Sequence, residues 1–431
     1  MAIVRALFLC LCLSSCALAA PVAVVPIEGA IGPATADFVR RAIERAAKEG
    51  APLVILRIDT PGGLDTSMRE IIKSILASPV PVASYVSPSG ARAASAGTFI
   101  MYASHIAAMA PGTNLGAASP VAVMGGGGTD KDGKKTEDTM MKKVTNDAVA
   151  YIRGFAQMRG RNADWAEQAV REGVSLPAEE AVKKKVIDVV APDVPALLKA
   201  LEGRTVEAGG VKRKLEVAGA GTQEVEIDWR TRILGTITNP SVAYLLILLG
   251  AYALLFEFMN PGLVMPGVVG VIALLIAAYA LHLLPVNYAG LALLLLGIGF
   301  MVAEAFFPAY GSLGIGGLIA FVIGSIMLIE DTKVPGFEIP LALIAGVAAA
   351  SAGFLIFVVG MLVRSHKRPV VSGREHMIGA SAEALADFDG EGWARVQGEQ
   401  WKVRAPGAVR RGEKLRVTGM DGLVLTVEVE R

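Results

Sequence analysis

The chain has 431 residues and carries 41 Lys and Arg against 40 Asp and Glu, a formal charge of +1 with no long basic block, which excludes electrostatic capture of nucleic acid. A hydrophobic fraction of 53% and a mean hydropathy of +0.52 exclude an ordinary soluble enzyme. Part of this protein lives in a membrane, and its length suggests about three units.

The first stretch, "MAIVRALFLCLCLSSCALAAP", has Arg5, an apolar run and then Ala17-Leu18-Ala19, the pattern of a cleaved signal peptide over 1–20. The domain after it is expected to be exported. All three cysteines, Cys10, Cys12 and Cys16, lie in this leader, so the mature chain would hold no thiol, disulfide or cysteine metal site, and no cofactor is expected. The rival detail is "LSSC" at 13–16, which resembles a lipoprotein cleavage box with Cys16 as the acylated residue. The other anchors in the chain weigh against it.

From 21 to 200 the text alternates. "VAVVPIEG", "LVILRIDT" and "PVASYVS" are short β-branched runs ending at turn residues. Between them "ATADFVRRAIERAAKEG" and "LDTSMREIIKSILAS" place apolar residues at every third or fourth position. This is the β-α-β rhythm of an α/β layer with mainly parallel strands. Residues 201–232 lose the rhythm and read as a β hairpin followed by a polar linker.

A membrane domain is expected over 233–365. Runs near 241–258, 264–284, 289–307, 312–329 and 340–363 are nearly uncharged, and each is long enough to cross a hydrocarbon core of roughly 30 Å as a helix. Five spans put the C-terminus on the side opposite an exported N-terminal domain. "RSHKRP" at 364–369 supplies the positive flank of the cytoplasmic side, against which Arg230 and Arg232 argue mildly. The segments "EFMNPGLVMPGVVG" and "EAFFPAYGSLGIGG" repeat at an offset of 47 residues, with Glu257 over Glu304 and Pro261 over Pro308. Each reads as a helix end, a turn and a re-entry, with the two carboxylates structural and close enough to the interface to reach water.

Residues 373–431 return to polar, glycine-separated strand patterns. About five short strands in under 60 residues suit a small OB-type barrel, used for assembly, since Trp393 and Trp401 make no stacking row.

The stretch "GARAASAGTF" sets one serine, Ser95, among alanines and glycines. A helix start packed against a neighbour would explain it. A nucleophile there would need a base, and His105 stands ten residues later, roughly 15 Å further along a helix. With histidine and cysteine excluded, a lysine made neutral by burial is the remaining activator. Lys131, Lys134 and Lys135 sit in a polar glycine-containing loop. Lys142 and Lys143 open the next helix, where Lys142 shares its face with Asn146, Val149 and Arg153, and Lys143 shares the smaller face of Asp147, Ala150 and Gly154. Spacing favours Lys143 narrowly. Oxyanion donors are expected from Gly63 in "DTPGGLD" and from Ala96, the amide after Ser95.

Taken together, "RIDTPGGLDTSMREIIKSI", "YVSPSGARAASAGTFIMYASHIAAMAPGTNLGAASPV", "KKVTNDAVAYIRGFAQMRGRNADWAEQAV" and "SLPAEEAVKKKVIDVVA" resemble the long-form NfeD proteins, membrane-bound serine proteases of the ClpP and signal peptide peptidase A class. The resemblance covers essentially the whole chain. It implies a ClpP/crotonase-type fold, a Ser-Lys dyad, cleavage at hydrophobic stretches, homo-oligomers, and stomatin- or prohibitin-like membrane partners. By motif the serine falls on Ser95 and the lysine on Lys143, with Lys142 the fallback. The setting implied is a bacterial inner membrane, with the protease domain periplasmic and the barrel cytoplasmic. One departure is Lys185, where relatives tend to have glycine. The competing readings are a scaffold that binds apolar segments without cutting them, and acyl-CoA chemistry on the crotonase fold, which export from the cytoplasm disfavours.

Overall fold

The computed structural model describes residues 20–120, 136–260, 262–307, 311–329, 337–366 and 374–430. The leader with its cysteines, the loop lysines Lys131, Lys134 and Lys135, Pro261 and Pro308, and the basic residues 367–369 lie outside the described residues.

The first unit runs to Ala352 and begins with an α/β layer. Strands β1 (Val22–Glu28), β2 (Val54–Asp59) and β3 (Val82–Val86) alternate with helices α1 (Pro33–Lys48) and α2 (Asp65–Leu76). A short strand β4 (Arg92–Ala94), helix α3 (Ala96–Ala103), and strands β5 (Ile106–Met109) and β6 (Asn114–Gly116) come next. Then come α4 (Thr136–Arg159), α5 (Ala163–Arg171), β7 (Ser175–Pro177), α6 (Ala178–Lys183), β8 (Val189–Val190) and α7 (Val194–Leu201). Strands β9 (Thr205–Ala208), β10 (Val211–Lys214) and β11 (Thr222–Glu224) complete the layer.

The main sheet has the order β11-β1-β2-β3-β5-β8 and every pairing in it is parallel. Strand alternation divides its core in two. Val54, Leu56 and Ile58 of β2 face one cluster with α1 to α5, while Leu53 and Ile55 face a second with α7 and the β9–β10 hairpin. This agrees with the ClpP/crotonase-type layer that the resemblance implied. A second small sheet, β4-β6-β7, stands at the end of β2.

The stretch after 200 differs from the sequence reading. The hairpin is present, but Leu215 and Val217 are fully or nearly fully buried, and β11 joins the main sheet as its edge, Val22 pairing with Thr222. The strand reads as linker because all three of its residues are exposed, so no apolar alternation marks it. Lys185 lies at φ 58°, in the left-handed region that costs an L residue roughly 1–2 kcal/mol. Lys185→Gly is therefore expected to raise stability by about 0.5–1 kcal/mol after glycine's unfolded-state entropy is counted, read as a higher thermal midpoint.

Helix α8 (Trp229–Ile237) is tied to α1 by Arg41, whose Nη1 donates to Asp228 at 2.7 Å. The apolar helices succeed it as α9 (Pro240–Met259), α10 (Met265–Leu283), α11 (Tyr288–Phe306), α12 (Ser312–Met327) and α13 (Leu341–His366). Of these, α9 and α10, with mean hydropathy 2.1, are long and apolar enough to cross a membrane, and shorter apolar stretches occupy the other three.

The repeat seen in the sequence is a repeat in space. Hairpins α9–α10 and α11–α12 each close on paired glycines: a Cβ on Gly250 would lie 3.0 Å from the Gly270 carbonyl oxygen, and one on Gly297 2.6 Å from that of Gly317. Small residues thus let the two backbones touch. The glutamates serve the turns. Glu257 Oε1 accepts the Val264 N–H at 3.0 Å, and Glu304 accepts those of Gly311, Leu313 and Gly314 at 2.8–3.1 Å. Both are structural, as expected, but Glu304 is 3% exposed. Its carboxyl oxygens are met by backbone N–H groups at the N-terminus of α12.

The second unit, Gly353–Arg431, includes the end of α13, a short helix α14 (Arg374–Met377), and strands β12 (Ser381–Ala384), β13 (Phe388–Val396), β14 (Glu399–Val409), β15 (Lys414–Asp421) and β16 (Val424–Val429). The strands close into a barrel in the order β12-β13-β14-β16-β15, with β14 and β16 parallel. This is the five-stranded OB-type barrel expected. Trp393 is 55% exposed on it.

Candidate active site

Ser95 occupies the turn between β4 and α3, at φ 51° and ψ −114°. A non-glycine residue there is strained and survives only where its surroundings fix it. Its N–H donates to the Gly116 carbonyl at 2.9 Å and its carbonyl accepts the Thr98 N–H at 2.9 Å. A serine on a sharp strand-to-helix turn presents its hydroxyl away from the chain, the device used by hydrolase nucleophiles.

Two threonines, which sequence reasoning passed over, shape that turn. Buried Thr98 holds β4 to β6, its hydroxyl 2.8 Å from the Ala93 carbonyl and accepting the Gly116 N–H at 3.0 Å. Buried Thr60 does the same for Pro61-Gly62-Gly63, its hydroxyl accepting the Gly62 N–H at 3.0 Å and donating to the Gly62 carbonyl at 2.9 Å. Their signal was present only as threonines one or two positions from a glycine. Gly62, at φ 128°, lies so close to Ser95 that a Cβ on it would stand 2.8 Å from the serine Cβ. Gly97 allows α3 to approach Thr60, whose Cγ2 would be 2.7 Å from a Cβ there.

Ser95 opens on a cleft of about 870 Å³ whose lining includes Gly63, Ala96 and Lys143. Lys142 is not among the lining residues. The N–H groups of Gly63 and Ala96 have no acceptor among the described residues. All four residues singled out in the sequence thus meet at one cleft. The route for Lys143 is not the one expected. Lys143, Asp147, Ala150 and Gly154 form an exposed face of α4, while the buried face is Val149, Ile152, Phe155 and Ala156. The helix also starts earlier than expected, at Thr136. Lys143 therefore reaches the cleft from its rim, with its own side chain exposed.

Arg69 fixes α4 beside the cleft. Its Nη2 donates to Asp147 and its Nε to Asp65, each at 2.8 Å, and the guanidinium lies 4.4 Å from the centre of the Tyr151 ring. Tyr151 in turn meets Phe99 of α3 at 6.3 Å between ring centres, so the helices that carry Ser95 and Lys143 are packed through aromatic side chains.

His105 lies apart from the cleft, as its distance along the chain required. Its Nδ1 accepts the Val82 N–H at 3.2 Å. Burial, with Arg159 and Arg161 nearby, pushes its pKa down from 6.5 to about 4. The folded protein keeps this imidazole neutral while the unfolded chain protonates it. Its contribution to stability is therefore present above pH 6.5 and lost as the pH falls toward 4, at about 1.4 kcal/mol per pH unit. The thermal midpoint is expected to drop across that window, and His105→Asn, which keeps an acceptor, is expected to flatten the drop.

Three family models match the chain in order. They are the NfeD1b N-terminal domain over 21–208, the NfeD integral membrane domain over 241–361, and the NfeD-like C-terminal, partner-binding domain over 374–428. Membrane-bound protease PH1510 of Pyrococcus horikoshii is 38% identical over 424 residues, 95% of this chain and 93% of that protein. Membrane protein NfeD1b of Bacillus subtilis is 30% identical over 307 residues, 69% of this chain and 65% of its own. The 1510-N membrane-bound stomatin-specific protease, solved as a lysine-to-alanine mutant with a substrate peptide, is 37% identical with a TM-score of 0.45. It covers 51% of this chain and 98% of its own. With its domains matched in order and its identity to a protease sustained almost from end to end, this chain belongs to the NfeD family of membrane-bound proteases.

Proposed function

We propose that the protein is a membrane-anchored serine endopeptidase in which Ser95 and Lys143 act as a dyad on apolar stretches of membrane-associated proteins. The observation that carries this is the shared cleft, with Ser95, Lys143, Gly63 and Ala96 on its walls and Lys142 outside it. Lys143 in its unprotonated form takes the Ser95 proton, and Oγ attacks the peptide carbonyl. The developing oxyanion faces the Gly63 N–H, just ahead of α2, and the Ala96 N–H at the N-terminus of α3. The ammonium then returns the proton to the leaving amine, and water repeats the sequence on the acyl-enzyme. A peptide laid along the cleft excludes water from the rim where Lys143 stands.

The substrate proposed is a stomatin- or prohibitin-like membrane protein, in keeping with the specificity named for the 1510-N protease. The working form proposed is a homo-oligomer in a bacterial inner membrane, with the cleft on the periplasmic side and the barrel in the cytoplasm. The test is cleavage of a fluorogenic peptide with an apolar centre by the full chain in detergent. Wild type and Lys142→Ala are expected to cut it, and Lys143→Ala to lose about a thousandfold or more. Peptide binding by the wild type without turnover would return the protein to the scaffold reading.

A further inference from the structure

The cleft has a wall that does not come from the α/β layer. Besides Ser95, Lys143 and their neighbours, it is lined by His282, Leu283, Leu284 and Pro285, the last residues of α10 and the start of the turn after it. We propose that His282–Pro285 is a substrate subsite, so that the membrane domain itself reads the peptide lying across Ser95. The peptide it fits is an apolar segment presented at the bilayer surface. The inference rests on the reading of the cleft as a peptide site.

The wall is built in. Leu284 is buried in a cluster with Leu64, Ala243, Ile329 and Phe337, and Leu64 follows directly on Gly63. The Phe337 ring lies over Gly32, where a Cβ would stand 2.6 Å from its Cζ. The neighbouring Ile31 donates its N–H to the Gly62 carbonyl at 2.8 Å and accepts the Leu64 N–H at 2.9 Å. On the other side, Asn287 donates its N–H to the Leu328 carbonyl at 3.0 Å, and Val286 bridges Ile329. The wall is thus clamped both to the segment that carries Gly62 and Gly63 and to the second hairpin.

Its position sets the depth of the site. Helix α10 has 19 residues at mean hydropathy 2.1, so it crosses about 28 Å and ends where the cleft begins. Trp229 is 74% exposed and Ile233 53% exposed one turn apart on α8, beside Arg230, the arrangement of an interfacial anchor. Its chemistry sets the preference. Leu283 and Pro285 offer apolar contact, while exposed His282 offers a polar contact to a residue at the end of the apolar segment.

The experiment uses the full chain in nanodiscs with Ser95→Ala as the silent parent. Two fluorescein-labelled dodecapeptides share an apolar centre and carry either lysine or glutamate at one flank, and their affinities are read by anisotropy. Adding Leu283→Asp is expected to weaken both peptides about tenfold or more. Adding His282→Asp, at an exposed position, is expected to shift the lysine-to-glutamate preference at least fivefold toward lysine, with the thermal midpoint unchanged. The inference is overturned if neither variant changes either affinity by more than twofold, or if the parent binds neither peptide. Turnover by the wild type is scored separately. Cleavage with an unmoved preference sinks the subsite alone, and a moved preference without cleavage sinks the dyad alone.

Discussion

Ser95→Ala is expected to lower peptide turnover by about a thousandfold or more while leaving the thermal midpoint in place, because alanine keeps the backbone and loses only the nucleophile. Ser95→Gly separates activity from stability. At φ 51° glycine relieves strain that both serine and alanine must bear, so this variant is expected to be equally inactive yet about 1 kcal/mol more stable. That corresponds to a rise of roughly 2–4 °C for a domain of this size. Equal midpoints for Ser95, Ala and Gly would mean that the turn stores no strain, and residual cleavage by both variants would remove Ser95 from the chemistry.

The second large effect is expected far from Ser95, at the other end of the helix it opens. Arg161, with a side chain 2% exposed, donates from Nη1 to the Met101 and Tyr102 carbonyls at 2.8 and 2.9 Å, closing the C-terminal end of α3. Its Nη2 donates to Asp188 at 2.7 Å, and Asp188 also accepts from Arg204 at 3.0 Å and from the Ala107 N–H at 2.8 Å. Burial alone would push the Asp188 carboxyl up, but Arg161, the Ala107 amide and Arg204 hold it below the usual carboxylate value. Asp188→Leu leaves the Arg161 cation buried without its partner, which is expected to cost about 3–5 kcal/mol. The double change Asp188→Leu with Arg161→Met is expected to recover much of that loss. If the single change costs under about 1 kcal/mol in thermal unfolding, the pair does not hold the helix.

How much of this was legible depended on whether a feature is periodic and local. The β-α-β rhythm, five apolar runs and five barrel strands were, because burial imposes periods of two and 3.6 on the text. The hairpin repeat was too, since Glu257 and Glu304 stand at one offset with the same neighbours. The site was half legible. Ser95 stood out by its small-residue setting, eliminating His105 pointed to a lysine base, and motif chose Lys143, while the burial argument for Lys143 did not hold, since the small residues of its face meet solvent. Strand β11 was invisible because an exposed edge needs no apolar residue. Thr60, Thr98 and the His282 wall were invisible for another reason. Their roles come from contacts between distant segments, which no local pattern encodes.

The glycine contacts within the two hairpins bear on mechanics. Helices whose backbones touch cannot slide past one another without a clash of carbonyls, so each pair moves as one strut. The Glu257-pinned turn and the His282 wall are opposite ends of α10, about 28 Å apart. The wall beside Ser95 and the Glu257-pinned turn are therefore the two ends of a single braced helix.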